Sequence, residues 1–327
     1  MTLLTIGIPT FKREVELLEL IAHLDVELGN LPVELNIEII VMDNNPTSVI
    51  NEKNLKEFID SGRIKFFKNE SNIGAVNNVL RIFQKSLGKY LWILGDDDLP
   101  TLSCVSTVYK FLESSNPRLI YLPSRWTSNK IARVSMLPKF HNHFTEVAPL
   151  RLVKTAHMHI TFLSSWIIDA EELRLDSHFR YDMYKDTMFP HLSWILEAVK
   201  KESKLYVANL NGIEALGGNT GNYDVLNAFS IDLPGILASS LGANSKIVSF
   251  LNKSIFGYYL PAVVKNSRLG ILGEFKMRGT PFGRFRDNRF LSIYFHFIIN
   301  RLAVCGSIES KFLTLLYRGF KFIHLRL

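Results

Sequence analysis

Short apolar runs alternate with amphipathic stretches through the first hundred residues, and this alternation restricts the fold more than any other feature. Apolar runs of this length suit buried strands, and the amphipathic stretches between them suit helices that cover a sheet. The runs lie at Leu4–Pro9, Ile37–Met42, Ile64–Phe67 and Tyr90–Leu94, and the helical stretches at 14–28, 50–60 and 74–87. Strands joined in this way form a mostly parallel sheet. We therefore expect the loops after the four strands to meet at one edge of an α/β sheet, where such sheets bind ligands.

The chain is long enough for a second, smaller unit beyond this sheet. It has 327 residues, of which 47% are hydrophobic, so it can bury a large core. The later pattern predicts helices at 101–114 and 187–200, and strands at Arg118–Leu122 and Ile160–Ile168. From about residue 225 onward it predicts helices. We therefore expect an α/β domain over residues 1–225 and a helical extension over residues 226–327.

Three consecutive aspartates directly follow the fourth apolar run. The segment YLWILGDDDLP spans residues 90–100 and contains Asp96, Asp97 and Asp98. Adjacent carboxylates repel one another, and Mg²⁺ or Mn²⁺ relieves that repulsion while needing only one or two protein carboxylates beside water and phosphate oxygens. A solvated turn or a helix cap is the simpler explanation, but the position at the carboxyl end of an apolar strand favours a ligand site. The motif predicts a divalent metal at this edge of the sheet.

Four segments resemble, in order and spacing, the family 2 glycosyltransferases of the GT-A fold. They are TIGIPTFKR (5–13), IEIIVMDNNPTS (37–48), NESNIGAVNNVL (69–80) and GKYLWILGDDDLP (88–100). Within that family the chain looks most like the O-antigen transferases of the abequosyltransferase type. The resemblance implies the GT-A nucleotide-diphospho-sugar transferase fold, a mostly parallel, Rossmann-like sheet flanked by helices.

The resemblance assigns the ends of the first two strands to the nucleotide. It implies that Pro9, Thr10 and Phe11 pack around the nucleotide and that Asp43 with Asn44 contacts the base. The family often has two acids where this chain has Asp43 and Asn44, which leaves the identity of the base open. A DNNP turn alone would also explain these two residues, because Asn, Asp and Pro are turn formers.

The turn after the third strand carries Asn72, Gly74 and Asn78. A glycine there permits close approach of the backbone to a ligand, and the N-terminus of the following helix offers amide donors to an anion or a sugar hydroxyl. The resemblance assigns all three residues to the nucleotide-sugar. A helix cap formed by Asn72 is the competing explanation.

By the same resemblance, Asp98 binds the metal directly, and Asp96 and Asp97 contact the ribose or a metal-bound water. Asp98 and Asp96 are therefore the expected metal site, and Asp96 and Asp97 are also expected to bind the nucleotide-sugar. The expected ion is Mg²⁺ or Mn²⁺, because carboxylate oxygens suit hard cations.

Family 2 members typically invert the anomeric centre in one displacement, which calls for a carboxylate base to take the proton of the acceptor hydroxyl. The segment RYDMYKDTMFPHLSW (180–194) offers Asp186 as the best-placed base. The members of the abequosyltransferase type lack an acid at this point, so Asp182 and His191 stay open as alternatives.

The formal net charge of +7 is concentrated near the C-terminus. Residues 265–327, here called the basic tail, hold twelve Lys or Arg and three Asp or Glu, a net charge of +9. Bulky apolar residues interleave with these charges, as in helices that lie in a membrane interface, and the apolar runs are too short and interrupted to span a bilayer. This composition favours an anionic membrane surface over nucleic acid as the partner.

These expectations describe an enzyme that moves a sugar from a nucleoside-diphosphate donor to a glycan hydroxyl during assembly of a bacterial O-antigen or a similar surface polysaccharide. The acceptor would be an oligosaccharide linked to polyprenyl diphosphate. The N-terminus lacks the pattern of a secretion signal, so we expect a cytoplasmic protein, peripheral on the inner face of the cytoplasmic membrane. Two alternatives stay open. They are a sugar-phosphate nucleotidyltransferase, although PTFKRE (9–14) is not its expected Gly-rich loop, and a membrane-associated assembly protein that kept the fold without catalysis.

Overall fold

The structure, a computed structural model, describes residues 2–29, 36–50, 54–60, 62, 64–127, 144–217 and 224–260. The chain divides into two compact units, Met1–Gly217 and Gly218–Leu327. The first unit carries every residue that the sequence assigned to the nucleotide-sugar, the metal or the catalytic base.

A large sheet forms the centre of the first unit, and eight strands of the described residues build it in the order β3-β2-β1-β4-β9-β6-β10-β8. The strands are β1 (Leu4–Thr10), β2 (Ile37–Asp43), β3 (Ile64–Lys68), β4 (Tyr90–Ile93), β6 (Leu119–Tyr121), β8 (Phe144–Glu146), β9 (Trp166–Asp169) and β10 (Leu205–Ala208). Pairing is parallel from β3 through β4, and β9 runs antiparallel to both β4 and β6. The mostly parallel α/β sheet predicted from the sequence is confirmed.

Helices cover the sheet and bury its apolar side chains. In the first unit they are α1 (Glu14–Gly29), α2 (Lys56–Asp60), α3 (Ala75–Lys85), α4 (Cys104–Ser115), α5 (Pro149–Ala156), α6 (Ala170–Leu175) and α7 (Leu192–Lys200). Leu17, Leu20 and Leu24 recur along one side of α1 and are fully buried, as the helical period requires. Helix α3 lies so close to β1 that a Cβ atom at Gly7 would come within 2.2 Å of the Ile82 side chain. Close packing of this helix therefore fixes the turn that precedes it.

A second, small sheet adjoins the acidic motif and was not predicted. Its order is β5-β11-β7, with β5 (Leu99–Pro100), β7 (Ser124–Thr127) and β11 (Ile213–Leu216). Strand β5 begins directly after Asp98 and pairs antiparallel with β11, which pairs in parallel with β7. The carboxylate of Glu214 on β11 is fully buried, and the Nε of Arg125 donates to both of its oxygens at 2.9 Å. This ion pair, buried at Glu214 and half-exposed at Arg125, links β7 to β11.

One predicted strand, Ile160–Ile168, is wrong over most of its length. Residues His157–Thr161 and Leu163–Ser165 form 3₁₀ turns, and β9 begins only at Trp166. In this stretch the side chain of Ser164 bonds to the distant acidic motif, and its carbonyl accepts a hydrogen bond from the Trp92 indole. Other predicted elements differ mainly at their ends. Helix α7 begins at Leu192 rather than 187.

The second unit is helical over its described residues. It contains α8 (Val225–Asn227), α9 (Leu233–Leu241) and α10 (Lys246–Ser254), with π-helical turns at Ala228–Asp232 and Ile255–Tyr259. Ser245 caps α10 by accepting a hydrogen bond from the Ile247 amide at 3.2 Å. Among the helices of the described residues, none has the length and apolar character needed to cross a membrane. The basic tail lies outside the described residues.

Candidate active site

Three hydrogen bonds join the loop after β1 to the acidic motif after β4. The Thr10 hydroxyl donates to Oδ2 of Asp96 at 2.7 Å, and Nη1 of Arg13 donates to Oδ1 of Asp96 and to Oδ2 of Asp97, both at 3.0 Å. Strands β1 and β4 are parallel neighbours, so their carboxyl ends meet at one edge of the sheet. The sequence interpretation assigned no role to Arg13. The sequence did contain one indication of this role: Arg13 is a basic residue in the loop after β1, and that loop was expected at the same edge of the sheet as the three acids.

The environment of Asp96 raises its pKa to about 6 from 3.8. Burial is the largest cause, since a charged carboxylate loses its hydration there. The hydrogen bond from Thr10 and the positive charge of Arg13 act in the opposite direction and leave part of the shift in place. Asp96 therefore changes its charge just below neutral pH, and a cation that binds beside it would favour the ionised form.

The Asp98 side chain is held by Ser164, which lies just before β9, the neighbour of β4 on the side away from β1. The Ser164 hydroxyl donates to its Oδ2 at 2.5 Å and accepts from the Gly95 amide at 2.9 Å. The Asp98 amide closes the turn by donating to the Gly95 carbonyl at 3.0 Å. A Cβ atom at residue 95 would come within 2.7 Å of Oδ2 of Asp98, so a larger residue there would displace the Asp98 carboxylate. The role of Ser164 was missed, because nothing in the sequence marks a contact made between distant segments.

The carboxylates of the motif fit the predicted Mg²⁺ or Mn²⁺. The residues that the structure describes contain no group of three or more His, Cys, Asp or Glu side chains arranged to hold a metal. The motif nevertheless contains three consecutive carboxylates, of which Asp96 and Asp97 share the Arg13 guanidinium, and oxygen donors with negative charge suit a hard cation. Such an ion often takes only one or two protein carboxylates, which Asp98 and Asp96 can provide.

The end of β2 forms the turn that the alternative explanation predicted. Asp43 is buried, and its Oδ1 accepts a hydrogen bond from the Asn45 amide at 2.8 Å. The side-chain oxygen of Asn44 accepts from Nδ2 of Asn69 and from the Ile73 amide, both at 3.0 Å. Both side chains therefore shape the strand end, and the role of each toward a base stays a prediction.

The three residues predicted in the turn after β3 lie in one asparagine network with Asn44. Nδ2 of Asn44 donates to Oδ1 of Asn72 at 2.7 Å, and that oxygen also accepts from the Gly74 amide at 2.9 Å. Asn78 is buried, accepting from Asn69 at 2.8 Å and donating to the Met42 carbonyl at 2.9 Å. The network ties the ends of β2 and β3 to the start of α3.

Asn72 does not cap α3, because Gly74 occupies the N-cap position without a side-chain hydrogen bond. Gly74 has a φ of +82°, a conformation that favours glycine.

Phe11 follows the buried end of β1 and is 38% exposed. The next residue, Lys12, has a φ of +55° and places its Nζ 5.3 Å from the Phe11 ring centre. Pro9 lies within β1, in register with Met42.

The candidate bases lie before α7 in a run of turns. Asp186 is exposed and makes no hydrogen bond or ion pair with the part of the chain that the structure describes. Asp182 pairs with Arg180 at 3.5 Å and with Lys185 at 3.7 Å. His191 is buried, and burial lowers its pKa to about 4. Of the three side chains, Asp186 is the accessible carboxylate without a charged partner in these ranges.

A family comparison matches the region that builds this site. The model of glycosyl transferase family 2 matches residues 5–166, which include the loop after β1, the acidic motif and Ser164. The match covers just under half of the chain, and residues 5–166 are similar to a family 2 glycosyltransferase domain. This match supports the resemblance stated from the four segments at the level of the family.

Solved structures share the GT-A fold of this domain at low sequence identity. S. aureus TarS 1-349 has a TM-score of 0.58 and 15% identity, over 80% of this chain and 74% of that chain. Its complex with UDP-GlcNAc gives the same score and identity, over 78% and 73%. The mannosyltransferase PcManGT from Pyrobaculum calidifontis, in complex with GDP-Man and Mn²⁺, has a TM-score of 0.53 and 12% identity, over 98% and 82%. No curated protein matches the sequence.

Proposed function

We propose that the chain transfers a sugar from a nucleoside-diphosphate donor to a glycan hydroxyl, with inversion at the anomeric carbon. One observation carries this proposal. In a region similar to a family 2 domain, Thr10 at the end of β1 and Arg13 in the following loop bond to Asp96 and Asp97 at the edge of the sheet. That edge is where open α/β sheets bind nucleotides.

The donor lies along the ends of β1, β2 and β3. Thr10 and Phe11 flank the base, and Asp43 bonds to its polar edge. The asparagine network holds the turn that faces the sugar and diphosphate, with Gly74 leaving the backbone accessible. Structures of this fold that contain UDP-GlcNAc, UDP or GDP-Man support a nucleotide-sugar as the ligand class.

We assign to the acidic motif the stabilisation of the negative charge on the leaving diphosphate. Asp98 and Asp96 would hold Mg²⁺ or Mn²⁺, and Asp97 contacts the ribose or a metal-bound water. The ion supplies electrostatic stabilisation of the diphosphate as it leaves. A GT-A structure of similar fold that contains Mn²⁺ supports this assignment. Arg13 neutralises part of the acidic charge before the donor binds, and Ser164 fixes the orientation of the Asp98 carboxylate.

Asp186 is the base. As the acceptor oxygen bonds to the anomeric carbon, the bond from that carbon to the β-phosphate oxygen breaks and nucleoside diphosphate leaves. The proton of the acceptor hydroxyl passes to the Asp186 carboxylate. The exposed position of Asp186 on a run of turns supports this role, because an acceptor can reach the side chain there.

The acceptor is an oligosaccharide linked to polyprenyl diphosphate, as in assembly of O-antigen by enzymes of the abequosyltransferase type. The +9 charge of the basic tail supports binding to an anionic membrane surface, since each basic residue near such a surface contributes about 1 kcal/mol. A protein held this way works at the inner face of the cytoplasmic membrane, where the lipid-linked acceptor is exposed.

Release of nucleoside diphosphate from a panel of nucleotide-sugars tests the proposal. Purified full-length protein is incubated with UDP-, GDP-, CDP- and dTDP-linked sugars and Mn²⁺ or Mg²⁺, with and without a bacterial lipid extract as acceptor source. We expect release from at least one donor, and a loss of about 100-fold or more in Asp98→Asn. Asp60→Asn, which changes an exposed carboxylate on α2, is the matched control and should keep full activity.

A folded protein that releases nothing from any donor would contradict the proposal. Equal activity of the Asp98 and Asp60 variants would instead show that transfer occurs without the acidic motif, and would remove the assigned role of Asp98.

A further inference from the structure

Trp126 is a large aromatic residue that is exposed yet held in place. Its side chain is 50% exposed on β7, the edge strand of the small sheet. The ring packs against Phe162, with centroids 4.8 Å apart, and against His159 at 6.0 Å. Its Nε1 lies 3.4 Å from Nδ1 of His159, and that nitrogen also contacts the Ser124 hydroxyl at 3.1 Å. The exposed part of the ring is therefore presented in a fixed orientation.

The strand register places Trp126 level with the acidic motif. Leu99 pairs with Glu214, and Ala215 pairs with Trp126. Asp98 directly precedes β5, and β5 and β7 lie two strand spacings apart, roughly 10 Å between backbones. Residues opposite one another in a sheet share a face. Leu99, Glu214 and Arg125 are in register and share one face, so Trp126 occupies the other face of the small sheet, whose β5 begins directly after Asp98.

A second connection leads from Trp126 to the same carboxylate. Phe162, which packs against the Trp126 ring, lies two residues before Ser164, whose hydroxyl donates to Asp98. Strand β6 runs parallel to β4 because both are antiparallel to β9. The end of β6, which leads into β7, and the start of β9 thus lie at the edge of the large sheet that carries the acidic motif.

The order of the large sheet separates this aromatic cluster from the nucleotide side. Strands β1 and β2 lie on one side of β4, whereas β9 and β6 lie on the other. Thr10 and Asp43 end strands on the first side. Trp126 and Phe162 belong to the second. A ligand that extends past Asp98 toward β9 and β6 is therefore the acceptor rather than the nucleotide.

We propose that Trp126, backed by Phe162 and His159, is a stacking platform for a sugar ring of the acceptor glycan. The inference rests on the proposed transfer to a glycan. One face of a pyranose ring presents C–H groups, which are attracted to the negative face of an indole. The imidazole of His159 and the hydroxyl of Ser124 beside the platform add polar groups suited to sugar hydroxyls.

Saturation-transfer NMR with a panel of methyl glycopyranosides tests the platform without knowledge of the natural acceptor. The panel contains the methyl glucoside, galactoside, mannoside and rhamnoside, each added to full-length protein. We expect ring-proton signals from at least one glycoside, reduced about fivefold or more in Trp126→Ala and largely retained in Trp126→Phe. Leu175→Ala, at another exposed apolar residue, is the control and should match the wild type. UDP and GDP with Mn²⁺, measured in the same way, should bind equally to all four proteins.

Equal glycoside signals in Trp126→Ala and the wild type would overturn the proposal, as would a wild type that binds no glycoside. Weaker binding of UDP or GDP in Trp126→Ala would place the residue on the donor side and overturn it too. Nucleoside diphosphate release is read separately. If glycoside binding depends on Trp126 but the protein releases no nucleoside diphosphate, the stacking platform is supported and the proposed sugar transfer is rejected.

Discussion

Replacing Asp96 with Asn removes the acid whose pKa is raised while keeping an oxygen that can accept from Thr10. The folded pKa of about 6 against 3.8 corresponds to about 3 kcal/mol, since each pKa unit represents about 1.4 kcal/mol. Asp96 is only 5% exposed, so solvent screening reduces this little. A raised pKa means that the folded state holds the proton more tightly. The contribution of the Asp96 proton to the free energy of unfolding is therefore fully present below pH 3.8 and is lost as the pH rises through 6.

The change is measured by urea unfolding of the full chain at pH 4.5, 6.0 and 7.5, followed by circular dichroism. The free energy of unfolding of the wild type minus that of Asp96→Asn should fall by about 2 kcal/mol from pH 4.5 to 7.5. Taking this difference removes the titration of His191 and other groups common to both proteins. Asp60→Asn, which replaces an exposed acid, is measured in the same way as the control for exchanging an aspartate elsewhere in the chain. A difference for Asp96→Asn that is flat, or that grows with pH, would refute the reasoning.

Three further changes test other parts of the account. Gly95→Ala puts a Cβ within 2.7 Å of the Asp98 carboxylate and should lower turnover about tenfold or more while circular dichroism shows a folded protein; unchanged turnover would reject the steric argument. Asp43→Ala should raise the donor KM more than it lowers kcat, because base contacts bind ground and transition states alike; steady-state kinetics with an unchanged KM would move the base elsewhere. Arg284, Arg286 and Arg289 changed together to Ala should weaken sedimentation with anionic liposomes but not activity on a soluble acceptor. Wild type that fails to sediment at low salt would reject membrane docking.

Strands β1, β2 and β3 could be predicted because each is a nearly continuous apolar run. Parallel strands are buried on both faces and carry that pattern in a single segment. Strands β1, β2 and β3 differ from their predicted ranges by one residue at their ends. The family resemblance rested on the loops between these strands, where spacing along the chain fixes which residues reach the edge.

The region around the small sheet could not be predicted in the same way. That sheet consists of short strands, and β11 places the charged Glu214 in the interior because Arg125 of another strand pairs with it. Ser164 and Trp126 gain their significance from contacts with Asp98 and Phe162 that no local pattern encodes. Arg13 was within a recognised segment but needed the distance to Asp96 and Asp97 to reveal its role.

The most direct test of the account is calorimetric binding of UDP and GDP to the wild type and to Asp98→Asn, each with Mn²⁺ and with excess chelator. Asp98 is predicted to join the ion to the diphosphate at the end of β4, and Asp60→Asn serves as the control. We expect at least one nucleotide to bind the wild type with Mn²⁺, and its Kd to rise about tenfold or more both on chelation and in Asp98→Asn. Binding that is equally tight in all of these conditions, or no binding of either nucleotide to the folded wild type, would contradict the assignment of this edge as the donor site.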